Sequence, residues 1–284
     1  MTFYKKLFTA GWDDYELLDA GGGKKLERWK DIITIRPEKQ AYFKSGISFK
    51  EWEKIAHWEF VSKKNKEGKW VSLKANSPEN WILQYNSLSF HLQLTSFKHL
   101  GIFPEQKGNW DYISSKIKKN DSFLNLFAYT GAASCVAKSK GATVCHVDSV
   151  KQIVSWAKKN MELSELQDIR WVHEDALKFA KKEEKRNRLY DGIILDPPAW
   201  GYGTKKEHWK LENLIEELLI TCRSILKKNG LLVLNTYSPS LDIKKLYLII
   251  NKVFPSSKCE FYELWMSSKS KKELYYGNLI RIIK

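Results

Sequence analysis

The residues with the clearest chemical potential are Asp196, Pro197 and Pro198, which directly follow the apolar run Gly192–Leu195. Two successive prolines are incompatible with a helix and with continued strand pairing, so they predict a rigid loop at the end of a buried strand. A carboxylate and backbone carbonyls fixed in such a loop can hold an amino group or the edge of a base. A proline pair can also be a plain chain break, but the acid at the strand end favours a catalytic role.

A second candidate segment is Asn125–Gly131, where an apolar strand leads through Phe127 and Tyr129 into a turn of small residues. Gly131 would let the backbone approach a ligand closely, and the following helix would offer unpaired N–H groups at its start. The segment contains one glycine and lacks the G-x-G-x-x-G pattern of dinucleotide sites. An ordinary strand-to-helix turn is therefore an open alternative.

Two further acids follow predicted strands. Asp148, which precedes Ser149, comes about 20 residues after the glycine turn, and a carboxylate at this position can accept hydrogen bonds from ribose hydroxyls. It could also cap the helix that starts near Val150, but the spacing favours a ligand role. Asp175, which precedes Ala176, could bind an adenine amino group or cap its own helix, and the sequence does not separate these alternatives.

The alternation of strands and helices after residue 118 explains how these acids would meet. Continuous apolar strands between helices predict a parallel, doubly wound α/β sheet whose strands end at one edge. Thr236, Tyr237 and Ser238 would reach the same edge, although Ser238 could instead cap a helix. The last two strands have no helix between them and predict a C-terminal antiparallel hairpin. The predicted strands are 122–127, 143–148, 169–175, 190–196, 231–237, 260–267 and 275–283, and the predicted helices are 132–140, 150–163, 176–188, 207–227 and 241–254.

The first 118 residues predict a different, small β-rich domain that holds seven of the 12 tryptophans. Tyr15–Asp19 and Lys24–Trp29 flank a run of glycines and predict a β-hairpin. The tryptophans could pack a core or stack on bases, and core packing is the simpler interpretation for most of them. We therefore predict two domains, 1–118 for substrate or RNA binding and 119–284 for cofactor binding. Further predicted strands are 32–36, 59–62, 69–73, 81–85, 87–93 and 95–100.

Composition limits the possible partners. The chain has 284 residues, 43% of them hydrophobic, and its 48 Lys+Arg against 33 Asp+Glu give a net charge of +15. This charge would attract polyanions such as nucleic acids, although lysine-rich surfaces also arise without such a partner. No apolar run is long enough to span a bilayer and no signal peptide is visible, so we expect a cytoplasmic protein without a membrane partner. Four cysteines without C-x-x-C spacing predict reduced thiols and no metal site.

Taken in order, these segments resemble class I S-adenosylmethionine-dependent methyltransferases, which have a Rossmann-like sheet with a C-terminal antiparallel hairpin. The stretch Phe97–Gln106 resembles the segment that precedes the cofactor domain in bacterial 23S ribosomal RNA methyltransferases acting on cytosine C5 or guanine N7. The resemblance covers residues 12–284 and is closest to a short branch without the RNA-binding PUA domain. It implies S-adenosylmethionine as cofactor, ribosomal RNA as substrate, and a cofactor pocket lined by Phe103, Gln106, Asn125, Tyr129, Asp148, Asp175 and Asp196. The strand-end positions add Phe127, Gly131, Ser149 and Ala176 to this predicted set.

Two features depart from these relatives. Cytosine-C5 enzymes use a cysteine nucleophile, which in the related enzymes lies after the fifth strand, where this chain has Thr236, Tyr237 and Ser238. Amino-methylating enzymes usually carry an aromatic residue directly after the proline pair, to stack on a flipped base, but here Ala199 comes first and Trp200 second. We therefore expect transfer without a cysteine nucleophile, while Trp200 either stacks on the base or packs against the protein.

One function is favoured and two alternatives stay open. The favoured function is methyl transfer to an RNA base, in which Asp196 and the backbone of Pro197 and Pro198 orient the acceptor nitrogen. Tyr237 and Trp200 would shape the acceptor pocket. The alternatives are the same chemistry on a small molecule or a protein side chain, and a non-catalytic module that binds the cofactor or RNA. The sequence does not name the acceptor atom, the nucleotide or the oligomeric state.

Overall fold

The apolar runs of the second half form most of an eight-stranded sheet in the computed structural model, which describes residues 3–62, 68–202 and 208–284. In chain order the strands are β1 (Lys5–Thr9), β2 (Tyr15–Gly21), β3 (Lys24–Trp29), β4 (Ile32–Pro37), β5 (Trp58–Ser62), β6 (Gly68–Ser72), β7 (Asn80–Tyr85), β8 (Leu88–Gln93), β9 (Ser122–Leu126), β10 (Thr143–Asp148), β11 (Ile169–His173), β12 (Tyr190–Leu195), β13 (Trp200–Tyr202), β14 (His208–Lys210), β15 (Leu226–Thr236), β16 (Lys258–Ser267) and β17 (Glu273–Ile283). The helices are α1 (Phe49–Ile55), α2 (Lys107–Lys116), α3 (Ala132–Ser139), α4 (Lys151–Leu163), α5 (Ala176–Lys185), α6 (Leu211–Ile225) and α7 (Ile243–Val253).

The eight strands follow the order β1-β16-β17-β15-β12-β9-β10-β11. Each neighbouring pair from β15 to β11 is parallel, whereas β17 is antiparallel to β15. The chain fills the sheet outward from β9 in one direction with β10 and β11, and then in the other with β12 and β15. This arrangement confirms the predicted Rossmann-like α/β fold, with the C-terminal strands β16 and β17 added at one side.

Apolar helix faces cover the parallel strands. Leu218, Leu219 and Cys222 of α6 lie within a turn of one another and are fully buried, in one cluster with Leu232 of β15 and Ile250 of α7. Burying each such side chain contributes about 1.5–3 kcal/mol, so this shared core is the main force that fixes the strand order. No helix in the described ranges is both long and apolar enough to cross a membrane.

The first part of the chain forms separate, smaller sheets. Strands β2 to β6 pair in chain order, and β7 pairs with β8. Helix α1 begins at a capping box, in which Ser48 and Glu51 bind each other's backbone N–H groups, and it buries Trp52 beside Leu26 and Ile35. The hairpin of β2 and β3 was predicted, and the small β-rich region at the N-terminus is confirmed.

The chain divides into two compact units, which we name by their content. The sheet unit comprises residues 3–7, 109–264 and 277–284, and the β-rich unit comprises residues 8–108 and 265–276. The units therefore separate at residue 108 rather than at the predicted position 118. Residues 265–276, which we predicted as part of the cofactor domain, belong to the β-rich unit.

Two predicted elements need correction, and two helices are added. Residues 95–100 form no strand, because the Thr95 hydroxyl binds the carbonyls of Phe97 and His99 and holds the segment as a loop. The helix predicted from 207 begins at Leu211, because His208–Lys210 pairs with Trp200–Tyr202 as a short hairpin; Glu207 lies outside the described residues. Helices α1 and α2 were not predicted.

Candidate active site

Five strands of the sheet unit end in register. Leu234, Leu195, Leu126, Val147 and Val172 lie side by side on β15, β12, β9, β10 and β11. The next residue of each strand forms a row at the carboxyl edge: Asn235, Asp196, Phe127, Asp148 and His173. The order of the strands reverses between β9 and β12, which is where open α/β sheets bind their ligands. Three of these five residues were predicted as site residues from the sequence.

The loop after β9 has an unusual backbone. Phe127 and Tyr129 have φ values of 57° and 50°, and Gly131, at the N-cap of α3, has φ 84°. A positive φ at a bulky residue is strained and is retained where the surroundings hold it in place. At Gly131 a Cβ atom would also lie 3.0 Å from the Cβ of Ala157. The loop therefore needs glycine at 131, and its backbone is held in one specific shape.

Asp148 supplies part of that support. Its Oδ2 accepts a hydrogen bond from the Tyr129 N–H at 2.9 Å, and its Oδ1 accepts one from the Val150 N–H at 2.9 Å. Burial raises the pKa of Asp148 even though these backbone N–H groups oppose the rise. Each carboxylate oxygen can accept a further hydrogen bond, so the structural role and the predicted ligand role are compatible.

Asp175 caps its own helix. Its Oδ1 accepts a hydrogen bond from the Lys178 N–H at 2.9 Å, which satisfies one of the unpaired donors at the start of α5. The same residue, together with Ala176, lines a crevice with Asp148 and Ser149. Capping and ligand binding, which the sequence left open, are both compatible with this position.

Asn125 and Gly131 are not among the residues that line this crevice. Asn125 is buried, and its Nδ2 donates to the Ser134 Oγ at 2.9 Å, while that oxygen lies 3.0 Å from the Nδ1 of His146. Burial lowers the pKa of His146 to about 3, so the imidazole is neutral. This buried network joins β9, α3 and β10 underneath the loop.

Asp196 and Asn235 form the polar pair at the other side of the row. The Asn235 Nδ2 donates to the Asp196 Oδ1 at 3.3 Å, and Asn235 is 4% exposed. Burial raises the pKa of Asp196 to about 6, and the hydrogen bond from Asn235 opposes part of that rise. The Asn235 Oδ1 is buried and has no hydrogen-bond partner among the described residues. In this pair Asn235 positions the Asp196 carboxylate, which can accept hydrogen bonds from N–H groups.

Trp209 is a wall residue that the sequence analysis missed. Its indole N–H donates to the Pro198 carbonyl at 2.7 Å, and its ring lies 5.0 Å from the ring of Phe127. The crevice is lined by Phe127, Asp148, Ser149, Asp175, Ala176, Pro198, Gly201 and Trp209. The predicted helix 207–227 includes Trp209. The available signal for a hairpin was the presence of aromatic residues in both triplets, Trp200–Tyr202 and His208–Lys210.

The other predicted residues have varied positions. Pro197 is buried and Pro198 exposed, whereas Trp200 and Tyr237 have exposed fractions of 52% and 43%. Phe103 and Gln106 belong to the β-rich unit, where the Phe103 ring lies 5.3 Å from that of His99 and Gln106 is buried. Their predicted contact with the cofactor stays a prediction.

All four cysteines lie in described ranges, and none of them is fully exposed. Cys135, Cys145 and Cys222 are buried and Cys259 is half-buried. Burial raises the pKa of Cys135 and Cys145 to about 12 and that of Cys259 to about 11, and it raises the pKa of Cys222 as well. Reactive cysteines instead have lowered pKa values.

Known proteins resemble the chain along its length. The family model described as Conserved hypothetical protein 95 matches residues 106–263. The crystal structure of a SAM-dependent methyltransferase from Agrobacterium tumefaciens has a TM-score of 0.90 and 31% sequence identity, and the match covers 100% of this chain and 99% of that one.

Two curated proteins match parts of the chain. Ribosomal RNA large subunit methyltransferase K/L of Pseudoalteromonas translucida is 28% identical over 211 residues, which is 73% of this chain and 28% of that protein. Ribosomal RNA large subunit methyltransferase I of Alteromonas mediterranea is 26% identical over 189 residues, 65% of this chain and 45% of that protein. The match thus spans less than half of the length of either curated relative. On the family model and the full-length structural match, the chain belongs to the Conserved hypothetical protein 95 family, within the S-adenosylmethionine-dependent methyltransferases.

Proposed function

We propose that this protein transfers the methyl group of S-adenosylmethionine to a base of ribosomal RNA, and that it does so without a cysteine nucleophile. The observation that carries the proposal is the Asp196–Asn235 pair at the strand-order reversal, next to a crevice lined by Asp148 and Asp175. The net charge of +15 and the ribosomal RNA relatives support a polyanionic substrate, and an RNA substrate fits the cytoplasmic location expected from the sequence.

The crevice has the hydrogen-bond acceptors that the hydroxyl and amino groups of the cofactor need. We assign the open lone pairs of Asp148, beside Ser149, to the ribose hydroxyls and those of Asp175, beside Ala176, to the adenine amino group. Phe127 and Trp209 provide an apolar wall for the adenosine, and Tyr129 and Gly131 shape the loop beside it. Asn125 is added to the proposed set from the family resemblance. The bound cofactor supplies an already electrophilic methyl group.

The protein's own task is then to position the acceptor. The Asp196 carboxylate, held by the Asn235 Nδ2, accepts hydrogen bonds from N–H groups of the base, and the rigid Pro197–Pro198 backbone fixes the distance of the base from the cofactor. Trp200 and Tyr237 are exposed beside this loop and can contact the base. Because every cysteine has a raised pKa, a route through a covalent cysteine adduct is disfavoured.

The test compares Asp196→Asn with the wild type. Methyl transfer is measured with labelled S-adenosylmethionine and total RNA from cells that lack the gene, and affinity for S-adenosylhomocysteine is measured by calorimetry. We expect turnover to fall by about 100-fold or more, while the Kd for S-adenosylhomocysteine changes less than about threefold. Normal turnover in this variant would contradict the role of Asp196, and the absence of methylated RNA with the wild type would favour a small-molecule or protein substrate.

The pH dependence gives a second readout of the same residue. The pKa of Asp196 is raised to about 6, so its carboxylate becomes protonated as the pH falls through that value and can no longer accept a hydrogen bond at both oxygens. We expect kcat/KM of the wild type to decline below about pH 6. The residual activity of Asp196→Asn should not show this decline at low pH.

A further inference from the structure

The β-rich unit contains a pocket of about 520 Å³ that the proposed methyl transfer does not use. Its wall is formed by the β1–β2 connection, parts of β2 and β3, the start of α2 and the turn between β16 and β17. The volume lies within the range of small-molecule sites, and all the residues that line it belong to this one unit.

An aromatic wall of this pocket is held rigidly. The Trp12 indole N–H donates to the Gln84 carbonyl at 2.5 Å, and the Tyr15 hydroxyl donates to the buried Glu27 carboxylate at 2.9 Å. The two rings lie 5.8 Å apart. Both side chains are more than nine-tenths buried, and their polar ends are already bonded, so the small part of each ring that faces the pocket keeps one orientation. This lowers the entropic cost of placing a flat ligand against it.

The remaining lining carries charges of both signs. Arg28, Lys107 and Lys269 supply positive charge, whereas Asp13 and Glu16 supply negative charge. Arg28 is fixed by a hydrogen bond to the Asp13 carbonyl at 3.0 Å and by Glu16 at 3.5 Å. Lysines surrounded only by solvent would indicate a diffuse basic face. Here they share a cavity with rings and with two carboxylates.

We propose that this pocket binds a nucleotide unit. The phosphate would lie against Lys107 and Lys269, the base would pack on Trp12, and the carboxylates of Asp13 and Glu16 would accept hydrogen bonds from N–H groups on the base edge. A nucleotide satisfies both signs of charge and the aromatic wall, whereas a bare anion would be repelled by the two acids. The unit can be one residue of a single-stranded RNA or a free nucleotide, and the experiment separates these sources.

The first measurement uses the double variant Lys107→Glu/Lys269→Glu and a fluorescently labelled, single-stranded RNA 12-mer of mixed sequence. The matched control is Lys50→Glu/Lys54→Glu, which makes the same change in charge on α1 of the same unit, outside the pocket. Anisotropy is recorded over a range of salt concentrations. We expect the pocket variant to raise Kd at least tenfold and to reduce the slope of log K against log salt by about 0.7, the value for one neutralised phosphate on a single strand.

The second measurement separates the sources and tests the base. The four nucleoside monophosphates are titrated against the labelled RNA with the wild type, Trp12→Phe and the two lysine variants. If the monophosphates displace the RNA only at millimolar concentration, the pocket binds one residue of an RNA strand. If a monophosphate binds with a micromolar Kd and the pocket variant abolishes that binding, the pocket is a site for a free nucleotide. Weaker binding by Trp12→Phe supports packing of the base on the indole ring.

Two outcomes would overturn the proposal. In the first, both lysine variants weaken RNA binding equally, which indicates diffuse charge. In the second, Lys107→Glu/Lys269→Glu changes the affinity for neither RNA nor the monophosphates, which leaves an acidic protein partner as the occupant to test. Affinity for S-adenosylhomocysteine is measured in the same variants. Because the proposed function is tested at Asp196 in the sheet unit, failure at this pocket leaves that proposal standing.

Discussion

The two units of the molecule place their charged residues in opposite ways. In the parallel strands β9, β10 and β12 of the sheet unit, the central residues are uncharged and the acids lie at or directly beside the strand ends, as Asp148 and Asp196 do. In the β-rich unit, charged side chains lie inside the fold, and Glu27 is fully buried at the centre of β3. The comparison separates charge that we assign to a ligand from charge that is used by the fold itself.

The buried charges of the β-rich unit form one connected cluster. Arg36 holds Glu27 through two hydrogen bonds of 2.7 and 2.8 Å, and Lys25 lies 3.2 Å from Glu27 and 3.5 Å from Glu38. The Lys25 ammonium also donates to the Tyr276 hydroxyl at 3.1 Å. Burial raises the pKa of Glu27, but the charges of Arg36 and Lys25 outweigh it and hold the pKa at about 2.

Such a cluster specifies an arrangement more than it adds stability. Removing charges from water costs several kcal/mol for each ion, and pairing returns that free energy only when every partner is in place. Lys25 lies opposite Arg36 in the β3–β4 register, and a slip by one residue would turn the paired charges to the opposite face. The cluster therefore selects one strand register, whereas in the sheet unit the apolar core does so.

Breaking the buried cluster should have the largest effect on stability. Glu27→Gln keeps the shape but leaves Arg36 and Lys25 without their counter-charge, so we expect the free energy of unfolding to fall by about 3–5 kcal/mol in urea titrations. Glu59→Gln is the matched control, because Glu59 pairs with Lys24 at 2.7 Å near the surface, and about 1 kcal/mol or less is expected.

Acid unfolding tests the same cluster by a different route. Because the pKa of Glu27 is lowered to about 2, its contribution is complete above the unfolded value of about 4.5 and is lost as the pH falls toward 2. The wild type should lose stability over this interval, and Glu27→Gln should lose less. If Glu27→Gln and Glu59→Gln lose the same unfolding free energy over this pH interval, the buried cluster does not determine the acid sensitivity of the protein.

At the carboxyl edge of the sheet unit, an acid should affect both stability and ligand binding. In Asp148→Asn one of the two backbone N–H groups would face an amide NH₂, so we expect a loss of about 1–3 kcal/mol in unfolding free energy and at least tenfold weaker S-adenosylhomocysteine binding by calorimetry. Asp242→Asn is the control, because asparagine caps a helix as well as aspartate does. Unchanged affinity in Asp148→Asn would remove Asp148 from the proposed cofactor site.

The same contrast explains what the sequence could predict. Asp148 and Asp196 were predicted as site residues because each ends an apolar run, and in a parallel sheet such ends meet at one edge. In β3, by contrast, charged residues occur on both faces of the strand, at positions 24, 25, 27 and 28. Polarity therefore does not show which face is buried. Trp209 was missed because its position depends on the pairing of Trp200–Tyr202 with His208–Lys210. The periodicity of a single segment does not indicate such pairing.

The smallest expected effect separates the two roles of Asp175. Asp175→Ala removes the N-cap of α5 and should lower the free energy of unfolding by about 1 kcal/mol, whereas Asp175→Ser retains a capping oxygen and should leave it nearly unchanged. The serine variant loses the carboxylate that we assign to the adenine amino group. If that assignment is correct, S-adenosylhomocysteine binds more weakly to Asp175→Ser although the helix is capped. If affinity follows stability in both variants, Asp175 is a cap alone, and the ligand-directed acids of the sheet unit reduce to Asp148 and Asp196.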